Sequence, residues 1–106
     1  MRPSERADCK RRDTAVQNML ELIPLFEADA QWGLVESSRA LIAMLRSWDF
    51  SAAWRLFCAL DLTACLADPG LGRARDRILD RFAIVGSLLG SMVSDSEESL
   101  ATFTAD

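Results

Sequence analysis

Apolar positions recur at helical spacing along most of the chain, and no stretch sustains the period-two alternation of a half-buried strand. Val16, Met19, Leu20 and Ile23 mark one face of a first helix. Asp13 and Thr14 are candidate N-caps for it, and Thr14 with Gln17 forms a T-x-x-Q capping box. Pro24 lacks an amide hydrogen and strains the preceding turn, which predicts a kink or restart before Leu25 and Phe26 and an end near Ala30. Beyond Gly33, a second segment places Leu34, Val35, Ser38, Leu41, Ile42, Leu45 and Trp48 on one face, with Glu36, Ser37, Arg39 and Arg46 opposite. Asp49, or Ser51, is positioned to cap the next helix across a tight corner.

The third segment differs in kind. Fourteen of the 18 residues from Phe50 to Ala67 are apolar, leaving no continuous polar face. A single helix of that composition has to be covered nearly all round, which predicts the central element of a bundle. Asp68-Pro69-Gly70 ends it. A fourth helix over residues 72–93 carries Ala74, Ile78, Phe82, Val85, Leu89 and Met92 along one stripe. Ser94 and Glu97 form an S-x-x-E box from which a short fifth helix, docking Leu100 and Phe103, can start; the alternative is a disordered tail. The fold class is therefore all-α, a four- or five-helix bundle, mostly antiparallel with short loops. Residues 1–12 read as a flexible basic arm, 13–93 as the bundle domain and 94–106 as an acidic tail or fifth helix.

Composition agrees with one small domain: 106 residues, half hydrophobic, with 12 basic against 16 acidic residues for a net charge of −4. Histidine is absent, which removes imidazole as base, proton shuttle and metal ligand. Lysine occurs once, as Lys10, and the glycines at 33, 70, 72, 86 and 90 form no phosphate-binding loop. No catalytic residue, metal site or cofactor is expected. Cys9, Cys58 and Cys65 contain no CxxC pair. On one helix Cys58 and Cys65 are roughly 10 Å apart at 1.5 Å rise per residue, beyond disulfide reach, so reduced buried thiols are expected. Arg55 and Asp61 interrupt the longest apolar run, each costing roughly 2.5–3.5 kcal/mol inside a bilayer, and no membrane span or secretory leader is expected. The compartment expected is intracellular, cytoplasmic or nuclear.

Three constellations stand out. Trp32, Trp48, Phe50, Trp54 and Phe57 cluster around the corner between the second and third segments; Trp48 and Phe57 are read mainly as core, and Trp32, Phe50, Trp54 and Phe57 as candidate interface positions. Gly86 and Gly90 make a smooth strip for close approach of the third segment or of a second subunit. Arg73, Arg75, Arg77 and Arg81, with Lys10, Arg11 and Arg12, form a candidate nucleic-acid face. Asp76 and Asp80 at i,i+3 from Arg73 and Arg77 are expected to neutralise that face locally, which also makes Asp76 and Asp80 a surface pair rather than an acid–base dyad.

From Leu41 to Leu60, with Leu41, Leu45, Asp49, Phe50, Ala53 and Leu60 at the matching positions, the chain resembles a helix, acidic-aromatic corner, helix unit. That unit belongs to the bundle shared by the C-terminal part of the COPII outer-coat subunit and the steroid receptor RNA activator protein. The likeness covers about a fifth of the chain, and Asp68-Pro69-Gly70 stands where the family's following helix carries an aromatic motif. It implies a non-catalytic helical adaptor. The function expected is accordingly a protein–protein interaction module, self-associating or docking a partner through apolar surface of the third and fourth helices. A nucleic-acid-associated protein, a small viral or bacterial inhibitor or effector, and a hollow-bundle carrier anchored by Arg55 or Asp61 are the alternatives.

Overall fold

A computed structural model describes the backbone of residues 3–105 and the side chains of residues 7–95. The protein is all-α. Five helices run in chain order: α1 (Pro3–Ala28), α2 (Trp32–Arg46), α3 (Phe50–Ala59), α4 (Thr63–Leu66) and α5 (Ala74–Ala105), with one 3₁₀ turn at Pro69–Leu71 before α5. No strand occurs among the described residues. The molecule measures 54 × 23 × 20 Å because α1 and α5 are long and lie side by side.

Antiparallel order follows from side-chain partners. Arg11 near the start of α1 pairs with Asp95 of α5 at 2.8 Å, while Arg81 early in α5 pairs with Glu21 at 2.9 Å. Phe57 faces Gly86 and Trp54 faces Gly90, so α3 also runs against α5. Between these helices Ala15, Met19, Leu22 and Phe26 of α1, Leu41 and Leu45 of α2, and Ile78, Val85 and Leu89 of α5 are fully buried. Their spacing of three, four or seven residues is the physical cause of the arrangement: each helix has one apolar stripe, and those of α2 and α5 both close on α1.

Several boundaries differ from the sequence reading. Helix α1 extends back to Pro3, so Asp13 and Thr14 lie inside it and cap nothing. Thr14 instead accepts, through its carbonyl, a 2.8 Å hydrogen bond from the buried Asn18 amide. Pro24 is accommodated within α1 without ending it; its exposed ring faces away from the core. Helix α5 passes Ser94 without a break and reaches Ala105, so that serine starts no new helix. Leu100 and Phe103, expected to dock on the bundle, have side chains outside the described residues.

The larger correction concerns residues 50–67. They do not form one helix, and they are not the centre of the bundle. Leu60 turns extended at φ −69°, ψ 128° and ends α3. Asp61 then accepts a 2.9 Å hydrogen bond from the Thr63 amide and opens a separate single turn. Breaking the helix lets Leu62 and Cys65 face the core while Asp61 and Thr63 stay in water. Within α3 only Ala53 is buried. The central position belongs to α1, which packs more extensively than α3 against both α2 and α5 and supplies four fully buried side chains.

The corners are set by helix C-termini. After α1, the Gln31 amide donates to the Phe26 carbonyl at 2.9 Å and the Ala30 amide to Glu27 at 3.1 Å. After α2, Asp49 donates to Met44 at 3.0 Å and Trp48 to Leu45 at 3.1 Å. Both are Schellman motifs, with Ala30 (φ 57°) and Trp48 (φ 61°) at the left-handed position usually held by glycine. Gly33, by contrast, lies in the first turn of α2 and makes no corner. Asp49 does cap α3, accepting from the Ala52 amide at 3.2 Å.

Candidate functional site

Of the residues singled out around the second corner, Trp54 and Phe57 meet Gly86 and Gly90. The Phe57 ring stacks on Phe82, centroids 4.2 Å apart, and on Trp54 at 5.9 Å. An added Cβ at Gly86 would lie 2.9 Å from Phe57 Cζ, and one at Gly90 would lie 3.5 Å from Trp54. The glycine strip is thus filled by α3 of the same chain. Phe50, half-buried, packs against the core rim and lies 5.5 Å from the Trp48 ring.

Trp48 is not core. It is 44% exposed, held at the surface by its left-handed backbone, with the Arg12 guanidinium 4.8 Å from its ring. Cation–π contact across the α1–α2 edge gives the indole a fixed seat without burying it. Trp32 is more open still, 59% exposed at the first position of α2.

The arginine face is only partly as expected. Arg73, Arg75 and Arg77 are exposed, and among the described residues the pairs Arg73–Asp76 and Arg77–Asp80 are not formed. Arg81 turns the other way, bonding Glu21 and, at 3.1 Å, the Asn18 side-chain oxygen. It ties α5 to α1. Arg55 and Asp61 are both exposed, so neither side chain supplies a polar anchor inside the bundle.

Sequence reasoning missed a groove on the outer edge of α1 and α2. Leu20, Ile23, Ile42 and Ala43 form its apolar floor, Arg39 and Arg46 its walls, and its volume is about 480 Å³. Leu20 is 41% exposed although its spacing assigns it to the core stripe. The reason is angular: Met19 and Leu22 already fill the contacts to α2 and α5, and Leu20 lies at the stripe's margin. Neither guanidinium on the walls is ion-paired or hydrogen-bonded among the described residues. On α2 the exposed positions Trp32, Glu36, Arg39, Ala43 and Arg46 follow one line with alternating spacings of four and three. That spacing is the seam geometry of a helix that receives another helix. The signal was present in the sequence, but a face holding two arginines and a glutamate reads as solvated.

A polar cluster sits just past the C-terminal end of α1. The buried Cys65 thiol donates to Asp29 at 3.7 Å, and the Gln31 amide donates to the same carboxylate at 3.2 Å. Burial pushes the Cys65 thiol up, and the charge of Asp29 adds to the effect. It is a poor nucleophile. Asp68 is held below the usual carboxylate range by a hydrogen bond that the Asp29 carboxyl can donate only when protonated, and by the Gly70 amide, which donates at 2.9 Å. Cys58, expected buried, is exposed. Among the described residues no group of His, Cys, Asp or Glu side chains is placed to hold a metal ion, and no helix is long and apolar enough to cross a membrane.

No family model, curated protein or solved structure matches this chain. Surface geometry and chemistry are what bear on function.

Proposed function

We propose that this chain is a non-catalytic helical protein–protein interaction module whose docking surface is the outer edge of α1 and α2. One observation carries the reading: an apolar groove walled by two arginines that are unpaired among the described residues, on the same exposed line of α2 as Trp32. An apolar floor supplies area, unpaired guanidiniums supply orientation, and an exposed indole is the side chain most often found anchoring an interface. We prefer this location to the third and fourth helical segments, where Phe57 and Trp54 cover Gly86 and Gly90 within the chain and Leu79 and Ile84 are the exposed large apolar residues of α5. An adaptor role, as in the bundle the Leu41–Leu60 unit resembles, fits such a surface.

Site-specific photocrosslinking from position 43 tests the reading. A discrete protein adduct that is lost in the Leu20→Asp, Ile23→Asp double variant supports it. Adducts no different from those formed at position 75 on the outer side of α5 overturn it.

The nucleic-acid alternative has one observation in its favour: Arg73, Arg75 and Arg77, around the start of α5, are exposed and unpaired among the described residues. Three arginines against a net charge of −4 make a weak electrostatic footprint. Binding to RNA or DNA that falls steeply with salt and vanishes in the triple alanine variant would favour it.

A further inference from the structure

We infer that the occupant of the α1–α2 groove is an acidic amphipathic helix from another protein, presenting carboxylates at i and i+7 with apolar residues at i+3 and i+4. The inference rests on the docking reading above and names its partner chemistry.

Arg39 and Arg46 are seven residues apart on α2, about 10.5 Å along the axis at 1.5 Å per residue. Ala43 lies between them, and Leu20 and Ile23 face the same space from α1. A helix laid alongside α2 repeats its pattern every seven residues, so two of its side chains in register meet both guanidiniums. Those side chains have to be anionic, because a desolvated arginine without a partner costs more than the apolar contact returns. Between them, the i+3 and i+4 side chains point at the floor, where the small Ala43 lets the incoming backbone approach and Leu20 and Ile23 receive branched aliphatics. The pattern is Glu/Asp-x-x-Φ-Φ-x-x-Glu/Asp, where Φ is Leu, Ile, Val or Met.

A net charge of −4 does not prevent this. At physiological ionic strength charges beyond roughly 8 Å are screened, and the two guanidiniums set the local field. A second copy of the chain is a poorer occupant. Of its 16 acidic residues, those seven apart are Asp29 with Glu36 and Asp61 with Asp68. The first pair spans the corner at Ala30, and the second spans the turn at Pro69 with Cys65 already buried inside. Neither lies on one continuous helix.

The test uses the full chain and three labelled helical peptides of equal length, centred on Glu-x-x-Leu-Leu-x-x-Glu, on the same sequence with Gln at both ends, and on its Lys counterpart. Fluorescence anisotropy should rank Glu above Gln above Lys, with the first step about tenfold, the sum of two exposed ion pairs. Arg39→Glu with Arg46→Glu should invert the ranking, and Ala43→Arg should weaken all three peptides. Inversion by two exposed substitutions cannot arise from misfolding, and circular dichroism of both variants confirms their helicity. Equal binding of the Glu and Gln peptides, still lost in Ala43→Arg, overturns the acidic partner while leaving the groove as a docking site. No binding of any peptide, together with unspecific crosslinks from position 43, overturns both. A homodimer in sedimentation that Ala43→Arg dissociates overturns the partner in favour of self-association.

Discussion

The Phe57 ring closes over Gly86 so tightly that a methyl group there would sit 2.9 Å from its Cζ, whereas the Trp54 ring clears Gly90 by an ordinary contact of 3.5 Å. Two glycines four residues apart on one helix therefore do different jobs. Each costs α5 about 1 kcal/mol of propensity relative to alanine. At Gly90 that cost is recoverable, and Gly90→Ala should stabilise by about 0.5–1 kcal/mol. At Gly86 the ring is trapped between Trp54 and Phe82 and has to move. Gly86→Ala should destabilise by about 1–2 kcal/mol, and Phe57→Leu in the same chain should relieve much of it. Urea unfolding of the three variants decides the point; equal midpoints for the two alanine substitutions would show that the seam is loose.

The glycine strip was legible because two glycines inside an otherwise good helical pattern need compensation, and the third segment was one of the two neighbours expected there, a second subunit being the other. The helical class was legible for a similar reason, since Ile78, Val85, Leu89 and Met92 repeat at a period that suits nothing else. What escaped was the break at Leu60. Apolar composition over residues 50–67 does not say whether one helix is buried all round or two pieces turn separate faces inward; the extended Leu60 and the local turn closed by the Thr63 amide on Asp61 decide it. The groove escaped because binary patterning assigns Arg39 and Arg46 to water and Leu20 to core, and only the crossing of α1 and α2 brings the three together.

Leu20 and Leu22 make a matched pair for that distinction. Both are leucines on α1, one 41% exposed in the groove floor and the other wholly enclosed. Leu22→Ala should cost about 2–5 kcal/mol through lost transfer energy and the cavity left behind. Leu20→Gln should change stability by less than about 0.5 kcal/mol, as surface substitutions do. Chemical denaturation compares them directly, and a large loss at Leu20 would place it in the core and remove the groove's floor.

Acid should loosen the corner where Asp68 meets Asp29. In the folded chain Asp68 titrates below its ordinary value of 3.8, because a hydrogen bond from the Asp29 carboxyl when it is protonated, and one from the Gly70 amide, favour the charged form. A depressed folded value means that the unfolded chain takes up the proton first as pH falls. The contribution is complete above the ordinary value, shrinks as pH drops from 3.8 through the lowered folded value, and is absent below both. Asp68→Asn should therefore shift the urea midpoint near neutrality but converge with the parent in strong acid. A gap between the two that stays constant down to about pH 2 would show that the carboxylate charge is irrelevant there.

Ala30 carries the last prediction, because its backbone does what its side chain resists. At φ 57° it holds the left-handed position of the Schellman motif that ends α1, with the Gln31 and Ala30 amides satisfying the Phe26 and Glu27 carbonyls. A Cβ in that region crowds the neighbouring carbonyl and costs roughly 1–2 kcal/mol, which glycine avoids. Glycine in turn gives the unfolded chain more freedom, returning roughly 0.4–1 kcal/mol of the gain. Since Ala30 is exposed and its methyl packs into no core position, nothing else opposes the exchange. Ala30→Gly should raise stability by about 0.5–1 kcal/mol. Trp48 occupies the equivalent position after α2, yet its ring also seats Arg12 and touches Phe50. Trp48→Gly should consequently gain less than Ala30→Gly or lose stability outright, and thermal melts of the two variants measure how much that surface aromatic contact contributes. A larger gain at position 48 than at position 30 would mean that the indole holds nothing, and that the α1–α2 edge is fixed by its buried stripe alone.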